Sequence, residues 1–151
     1  MTTPHSISFS SDRSEAIASI ESVAAGRGWC NVVPNVVDDV DDLKVNFLGL
    51  RKLEGVTVAT LVTSSPRHGR DMPSSLGVLH TRGRLGRARI AELIDGAPFR
   101  VTQDHNQRGL LLEVPADAPA ALVLEVMCRC TTALCDVAMT GTWRLDRYLR
   151  E

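Results

Sequence analysis

The chain has 151 residues, 44% of them hydrophobic and 23% charged, which is the composition of an ordinary globular protein with one self-sufficient core. Its formal net charge of −1 excludes a strong overall attraction to nucleic acid or to an anionic membrane surface. No apolar run approaches the roughly 20 residues of a membrane-spanning helix, and the N-terminal residues do not resemble a signal peptide, so we expect a cytoplasmic protein without membrane contact.

The first part of the sequence predicts a short arm followed by a helix. Residues 1–10 read as a loose arm with a short extended piece near its end. Asp12 and Glu15 have the spacing of a capping box, in which each side chain bonds the backbone of the other residue. Apolar residues then recur at helical spacing until Gly26 or Gly28, where a glycine favours the end of a helix.

Three strands and two polar loops are predicted next. Proline cannot donate a ladder hydrogen bond, so Pro34 favours an edge or a bulge in the first strand. An acidic run, Asp38, Asp39, Asp41 and Asp42, opens the first loop, and its layout is not that of a calcium loop. The predicted strands cover residues 29–37, 56–63 and 76–81, and the predicted loops cover residues 38–55 and 64–74.

A second helix and a hairpin follow. The helix is predicted over residues 85–95, where Gly96 favours its end and Pro98 prevents its continuation. The hairpin joins strands over residues 99–103 and 109–114 through a polar turn of sequence DHNQR.

The last part of the sequence predicts the longest helix and a final strand. Asp117 is the predicted cap of this helix, with Pro119 tolerated in its first turn. Its polar residues fall on one narrow stripe, so the helix is either central to the domain or part of a subunit interface. The stripe consists of Glu125, Arg129, Thr132 and Asp136. A final strand that carries Trp143 follows.

The order of the predicted elements, α-β-β-β-α-β-β-α-β, indicates the fold class. Consecutive strands between helices favour a two-layer α+β domain, with a mostly antiparallel sheet and helices packed on one face. We expect residues 11–151 to form this single domain.

Two resemblances accompany this prediction. The first eight predicted elements, over about residues 12–137, resemble in their order the type III secretion chaperone-like fold, which implies a dimeric α+β scaffold that binds proteins. Separately, the sequences SLGVLH (75–80), FRVTQDHNQRGLLLEVPADA (99–118) and TGTWR (140–144) resemble stretches of small actinobacterial proteins. This second resemblance implies no activity.

The cysteines predict packing rather than chemistry. Cys128 and Cys135 share a face of the third helix but lie two turns apart, beyond the reach of a disulfide. Cys130 points to the opposite side, and the spacing does not supply the converging ligands of a zinc site. We therefore expect buried thiols, with a redox or intersubunit role as the alternative, and we predict neither a metal nor a cofactor.

An arginine-rich stretch between residues 67 and 89 is the first alternative site. Gly83 and Gly86 lie between a predicted strand and a predicted helix, where free N–H groups and guanidinium groups suit an anion. The stretch lacks the P-loop pattern and carries no aromatic residue for base stacking. A solvated basic face is therefore the first reading, and nucleic-acid or phosphate-ligand binding is the alternative. Its candidate residues are Arg67, Arg70, Arg82, Arg84 and Arg87.

The hairpin turn is the second alternative site. His105 and its neighbour Asp104 have side chains suited to acid–base chemistry. Arg108 would serve as an anion clamp in the same turn. A small enzyme built on this turn requires a concave pocket beside it. Ordinary hairpin chemistry is the competing interpretation, since Asp and Asn are typical turn residues.

We interpret the sequence as a non-enzymatic protein-interaction or regulatory module that self-associates as a homodimer. No catalytic residues are recognisable by spacing, and the nearly all-apolar third helix suits either a core or an interface between subunits. A protein partner is expected, whereas the net charge does not favour nucleic acid.

Overall fold

The computed structural model describes residues 3–26, 28–37, 44–45, 51–52, 55–63, 66–67, 70–71 and 73–149. In chain order the elements are β1 (His5–Phe9), α1 (Ser14–Gly26), β2 (Trp29–Val36), β3 (Lys44–Val45), β4 (Arg51–Lys52), β5 (Val58–Val62), β6 (Pro66–Arg67), β7 (Arg70–Asp71), β8 (Ser74–Leu79), α2 (Arg87–Ile94), β9 (Arg100–His105), β10 (Gly109–Val114), α3 (Ala120–Leu134) and β11 (Met139–Tyr148).

Seven of these strands form one sheet with the order β1-β11-β2-β5-β8-β10-β9. Every neighbouring pair in the sheet is antiparallel. Three helices accompany this antiparallel sheet, which confirms the predicted α+β class. The predicted packing of all helices on one face stays a prediction.

The observed order differs from the predicted order in the short strands. Strand β1 precedes the first helix, and the pairs β3–β4 and β6–β7 lie in the two segments predicted as loops. Each of these four strands in the loops has only two residues, too few for a hydrophobic pattern. The acidic run of residues 38–42 lies outside the described residues.

The N-terminal arm is ordered over more residues than the short extended piece that the sequence predicts. His5–Phe9 pairs antiparallel with β11, so that these residues form an edge of the sheet instead of a loose arm. The Phe9 side chain is buried, and its ring stacks on Trp143 with 5.7 Å between the ring centroids. The first strand of the chain is therefore anchored to its last strand.

Buried and less buried residues alternate along β5, β8 and most of β10, as expected of strands that bury one face. Helix α3 packs across β2, β5 and β8 and contacts both other helices. Eight of its fifteen residues are buried within the single chain, so the apolar helix is a core element whose burial requires no second subunit. Fully buried sheet residues include Cys30, Val32, Ala59, Leu76, Leu112 and Leu145.

Pro34 has the position expected for a proline in a strand. It faces Trp143 of β11 beside an irregularity in the register, whereas β5 pairs only with the earlier residues Trp29–Val32 of β2. Pro34 therefore lies beyond the part of β2 that pairs with β5, and the extra residues of the irregularity lie on β11.

The first turns of α1 and α3 differ in whether the predicted aspartate forms a cap. The Asp12 carboxylate accepts hydrogen bonds from the backbone N–H and the hydroxyl of Ser14 at the start of α1, and the reciprocal bond from Glu15 in the predicted capping box stays a prediction. Asp117 does not have this role, since α3 begins after Pro119 without a side-chain cap.

Among the described residues, no helix is long and apolar enough to cross a membrane.

Candidate functional site

Helix α2 and strand β9 form the two walls of a groove at one end of the sheet. The helix is short, and only Ile90 and Leu93 are buried among its residues. The turn that leads into it ends at Gly86, whose φ of +83° lies in the region that glycine adopts without strain. Because α2 buries little apolar surface, polar contacts at its two ends must help to hold it in place.

Asp104 of β9 anchors the N-terminal end of α2. Its carboxylate oxygens accept hydrogen bonds from the backbone N–H groups of Leu85 and Gly86, each at 2.9 Å. Partial burial acts to raise the pKa of this carboxyl, but the two hydrogen bonds and the nearby Arg84 and His80 outweigh it, so its pKa lies below the usual value. Asp104 is therefore a charged, long-range cap for the segment that leads into α2.

Arg129 of α3 anchors the other end of the same helix. Its guanidinium donates to the backbone carbonyl of Leu93 at 3.2 Å and lies 3.7 Å from the carboxylate of Asp95. It also donates to Glu125 at 3.1 Å, and Glu125 in turn accepts a hydrogen bond from Arg13. Part of the predicted polar stripe thus joins α3 to α2 and to the segment before α1.

Strand β9 is the outermost strand on this side of the sheet and pairs only with β10. The pairing shifts register between Leu111 and Leu112, which leaves Thr102 as the extra residue of a bulge. The other edge of β9 meets no strand among the described residues. In the described part of the chain, no backbone group outside β10 is hydrogen-bonded to the backbone of β9, which is the arrangement of an edge strand that can accept an added strand.

The groove along this edge has a volume of about 470 Å³. Four consecutive strand residues, Val101 to Asp104, border it. These four residues include the bulge at Thr102, and they belong to the outermost strand on this side of the sheet. The helix side is formed by Arg84, Gly86, Arg87, Ile90, Ala91 and Ile94.

The predicted arginine site is only partly assembled. Arg84 and Arg87 line the groove, and the side chain of Arg84 is 79% exposed. Arg82 instead pairs with Asp136 at 2.6 Å, and Thr81 donates a hydrogen bond to the same carboxylate. Arg67 and Arg70 face each other in the β6–β7 pair, and their side chains lie outside the described structure.

The turn before α2 does not present a free anion site. The Asp104 carboxylate already accepts hydrogen bonds from two of its N–H groups, and Arg84 lies 3.8 Å from that carboxylate. A phosphate group at this position would be repelled by Asp104.

His105 organises the hairpin turn. Its Nδ1 accepts hydrogen bonds from the backbone N–H groups of Gln107 and Arg108, both at 3.0 Å. Asp104 lines the groove, whereas His105 and Arg108 do not. The structure therefore does not bring the three residues of the predicted acid–base site together in one pocket.

The cysteines behave as buried apolar residues in most positions. Cys30, Cys128 and Cys130 are buried, and burial raises the pKa of their thiols to about 12, about 11 and about 12 respectively. Cys135 is half-buried, and its thiol donates to the carbonyl of Val137. Among the described residues, no three His, Cys, Asp or Glu side chains converge as a metal site would require.

Several groove residues were not identified from the sequence as parts of a site. Ile94 is half-buried and lines the groove. Val101 also lines the groove and is 41% exposed. The sequence feature that indicates an exposed apolar surface is the number of apolar residues on α2. A short helix at the end of a sheet has too little core around it to bury all of them.

No protein-family model, curated protein or solved structure matches this chain. What can be proposed about its function therefore rests on its own geometry.

Proposed function

We propose that the protein is a protein-interaction module that binds an extended segment of a partner along the free edge of β9, beside α2. The observation that carries this proposal is the border of the groove. Four consecutive residues of an edge strand form one wall, and one face of a helix forms the other.

The two walls have complementary roles in this mode of binding. An edge strand offers main-chain hydrogen bonds to an added strand, and side-chain pockets beside it supply specificity. Residues 101–104 span about 10 Å at the rise of a strand, and Arg87 to Ile94 span about 10.5 Å at the rise of a helix. The walls are thus matched in length to a short extended segment.

The bulge at Thr102 limits how much the main chain contributes. A bulge interrupts the regular ladder and bends the strand, so an added segment pairs with only a few residues on either side of it. The contacts with α2 must then supply much of the affinity. Because the main chain contributes little and the contacts with α2 contribute much, the groove favours a partner that is recognised by its side chains and binds reversibly.

Two exposed alanines of α2 allow a matched test. Ala91 lines the groove, and Ala88 is exposed on the same helix but does not line it. Arginine is a good helix former, so Ala91→Arg and Ala88→Arg leave α2 intact and add the same side chain at different places. Peptides selected from a random displayed library should bind the parent and the Ala88→Arg variant equally, and the Ala91→Arg variant at least about tenfold more weakly.

Hydrogen exchange of the bound complex gives an independent readout. Binding along the edge should slow the exchange of those β9 amides that face away from β10. Equal binding of the two variants, or protection that leaves β9 unchanged, would contradict the proposal. The predicted homodimer stays a prediction, which sedimentation of the parent chain measures.

A further inference from the structure

The charges of the groove are concentrated at one end. Arg84 and Arg87 lie at the N-terminal end of α2, and both are exposed. Arg87 forms no ion pair with any residue that the structure describes, and the contact of Arg84 with Asp104 is a loose one at 3.8 Å. The one carboxylate that lines the groove, that of Asp104, is already bound by two backbone N–H groups.

The apolar surface is concentrated at the other end. Ile90, Ala91 and Ile94 follow the arginines along the helix, and Val101 faces them from β9. Val101 is 41% exposed, and Ala91 and Ile94 leave further apolar surface accessible beside it. A ligand that covers Ala91, Ile94 and Val101 would remove their exposed apolar surface from water.

We infer that the groove selects an acidic segment of a partner protein, with Asp or Glu residues at the end beside Arg84 and Arg87 and apolar residues at the end beside Ile94 and Val101. This inference rests on the proposed function and adds the chemistry of the partner to it. Charge complementarity supports it, because two arginines with little internal compensation attract carboxylates and reject basic segments. The apolar half of the groove offers nothing to a phosphate backbone, so the match is to a protein segment rather than to nucleic acid.

Three synthetic peptides test the inference. They share one apolar half and carry glutamate, glutamine or lysine residues in the other half. The parent protein should bind the glutamate peptide about tenfold more tightly than the glutamine peptide and more tightly still than the lysine peptide. This preference should shrink at high salt, because the screening length falls from about 10 Å at 0.1 M to about 3 Å at 1 M ionic strength.

Two charge reversals provide the matched control. Arg87→Glu changes a groove residue, whereas Arg108→Glu makes the same change at an exposed residue of the hairpin turn that does not line the groove. Arg87→Glu should reverse the order of the glutamate and lysine peptides, and Arg108→Glu should preserve it. Since both substitutions change the net charge equally, only a local effect distinguishes them.

The outcomes separate this inference from the proposed function. Equal affinity for the three peptides, weakened by Ala91→Arg but unchanged by Arg87→Glu, would overturn the acidic partner and leave the edge-binding proposal standing. Peptide binding that Ala91→Arg does not weaken would overturn both. Sedimentation of the chain alone adds a third outcome: a dimer broken by Ala91→Arg and not by Ala88→Arg would assign the groove to a second copy and overturn the inference of an acidic partner.

Discussion

Two aspartates show how far a cap can be predicted from local spacing. Asp117 lies just before an apolar helix and satisfies the sequence rule for a cap, yet α3 begins without a side-chain cap. Asp104 satisfies no local rule for α2, because it lies 18 residues beyond Gly86, whose N–H it binds. Only the folded hairpin brings its carboxylate to the turn, so no sequence window that contains α2 reveals the contact.

Asp104→Asn should destabilise the protein, and Asp117→Asn should not. Hydrogen bonds to a charged acceptor are each worth about 1.5–3 kcal/mol, and the amide keeps one acceptor oxygen but loses the charge. We therefore expect a loss of about 1–3 kcal/mol in the free energy of unfolding for Asp104→Asn at pH 7. Denaturant titration of both variants measures it, and equal stability of the two would contradict the long-range cap.

The pH dependence of this difference has a definite sign. The folded state holds the pKa of Asp104 below its usual value, so the unfolded state binds a proton first as the pH falls. The stabilising contribution is complete above the ordinary aspartate pKa of about 3.9 and is lost below it. The difference in the free energy of unfolding between the parent and Asp104→Asn should therefore be constant near neutral pH. This difference should become smaller as the pH falls below about 4.

At the scale of elements, α2 differs from the other two helices. It buries only two residues, whereas α3 buries eight. Asp104 holds the turn at one end, and Arg129 of α3 holds the other end. A helix attached in this way opens at a lower free energy than the sheet does, which suits a groove wall that must admit a segment between itself and β9.

Arg129→Ala should loosen α2 without unfolding the sheet. The variant loses the hydrogen bond to Leu93 and the proximity to Asp95, both at the negative end of the helix dipole. Native-state hydrogen exchange should become about tenfold faster or more in the α2 amides, since tenfold corresponds to about 1.4 kcal/mol. The amides of β2 and β5 should be much less affected, and Arg108→Ala serves as the control. Equal acceleration in α2 and in the sheet would show that α2 opens only with the whole protein.

The elements were predictable to different degrees for physical reasons. Apolar periodicity located the three helices and six of the seven strands of the central sheet, all except β1, because these segments bury one face. The groove was not predictable, because it depends on the separation of two elements and on the bulge at Thr102. The pattern of apolar residues indicates which face of an element is buried. It does not give the distance between two elements.

At the scale of the whole molecule, the sheet joins the two ends of the chain. Among the described strands, β1 pairs with β11 alone, so the first strand adds to an edge that exists only after the last strand has formed. Polar and apolar side chains alternate over part of residues 5–9. The run is too short to predict which strand these residues pair with. Their structure depends on β11, which lies more than 130 residues away in the sequence.

Phe9→Ala should therefore destabilise the whole fold rather than release a loose arm. The Phe9 ring is 6% exposed, it stacks on Trp143, and the Trp143 indole N–H donates to Thr131 of α3 at 3.1 Å. Through these contacts the arm is coupled to the central helix, and truncation of a buried phenylalanine costs about 3–5 kcal/mol. The exposed neighbour Ser10 provides the control, since Ser10→Ala should change the free energy of unfolding by less than about 0.5 kcal/mol. Chemical denaturation followed by both tryptophan fluorescence and circular dichroism measures these values. Phe9→Ala could instead lower the free energy of unfolding only slightly and leave the fluorescence and circular dichroism of the folded protein unchanged. That result would mean that β1 is peripheral and that the cooperatively folding unit begins at α1.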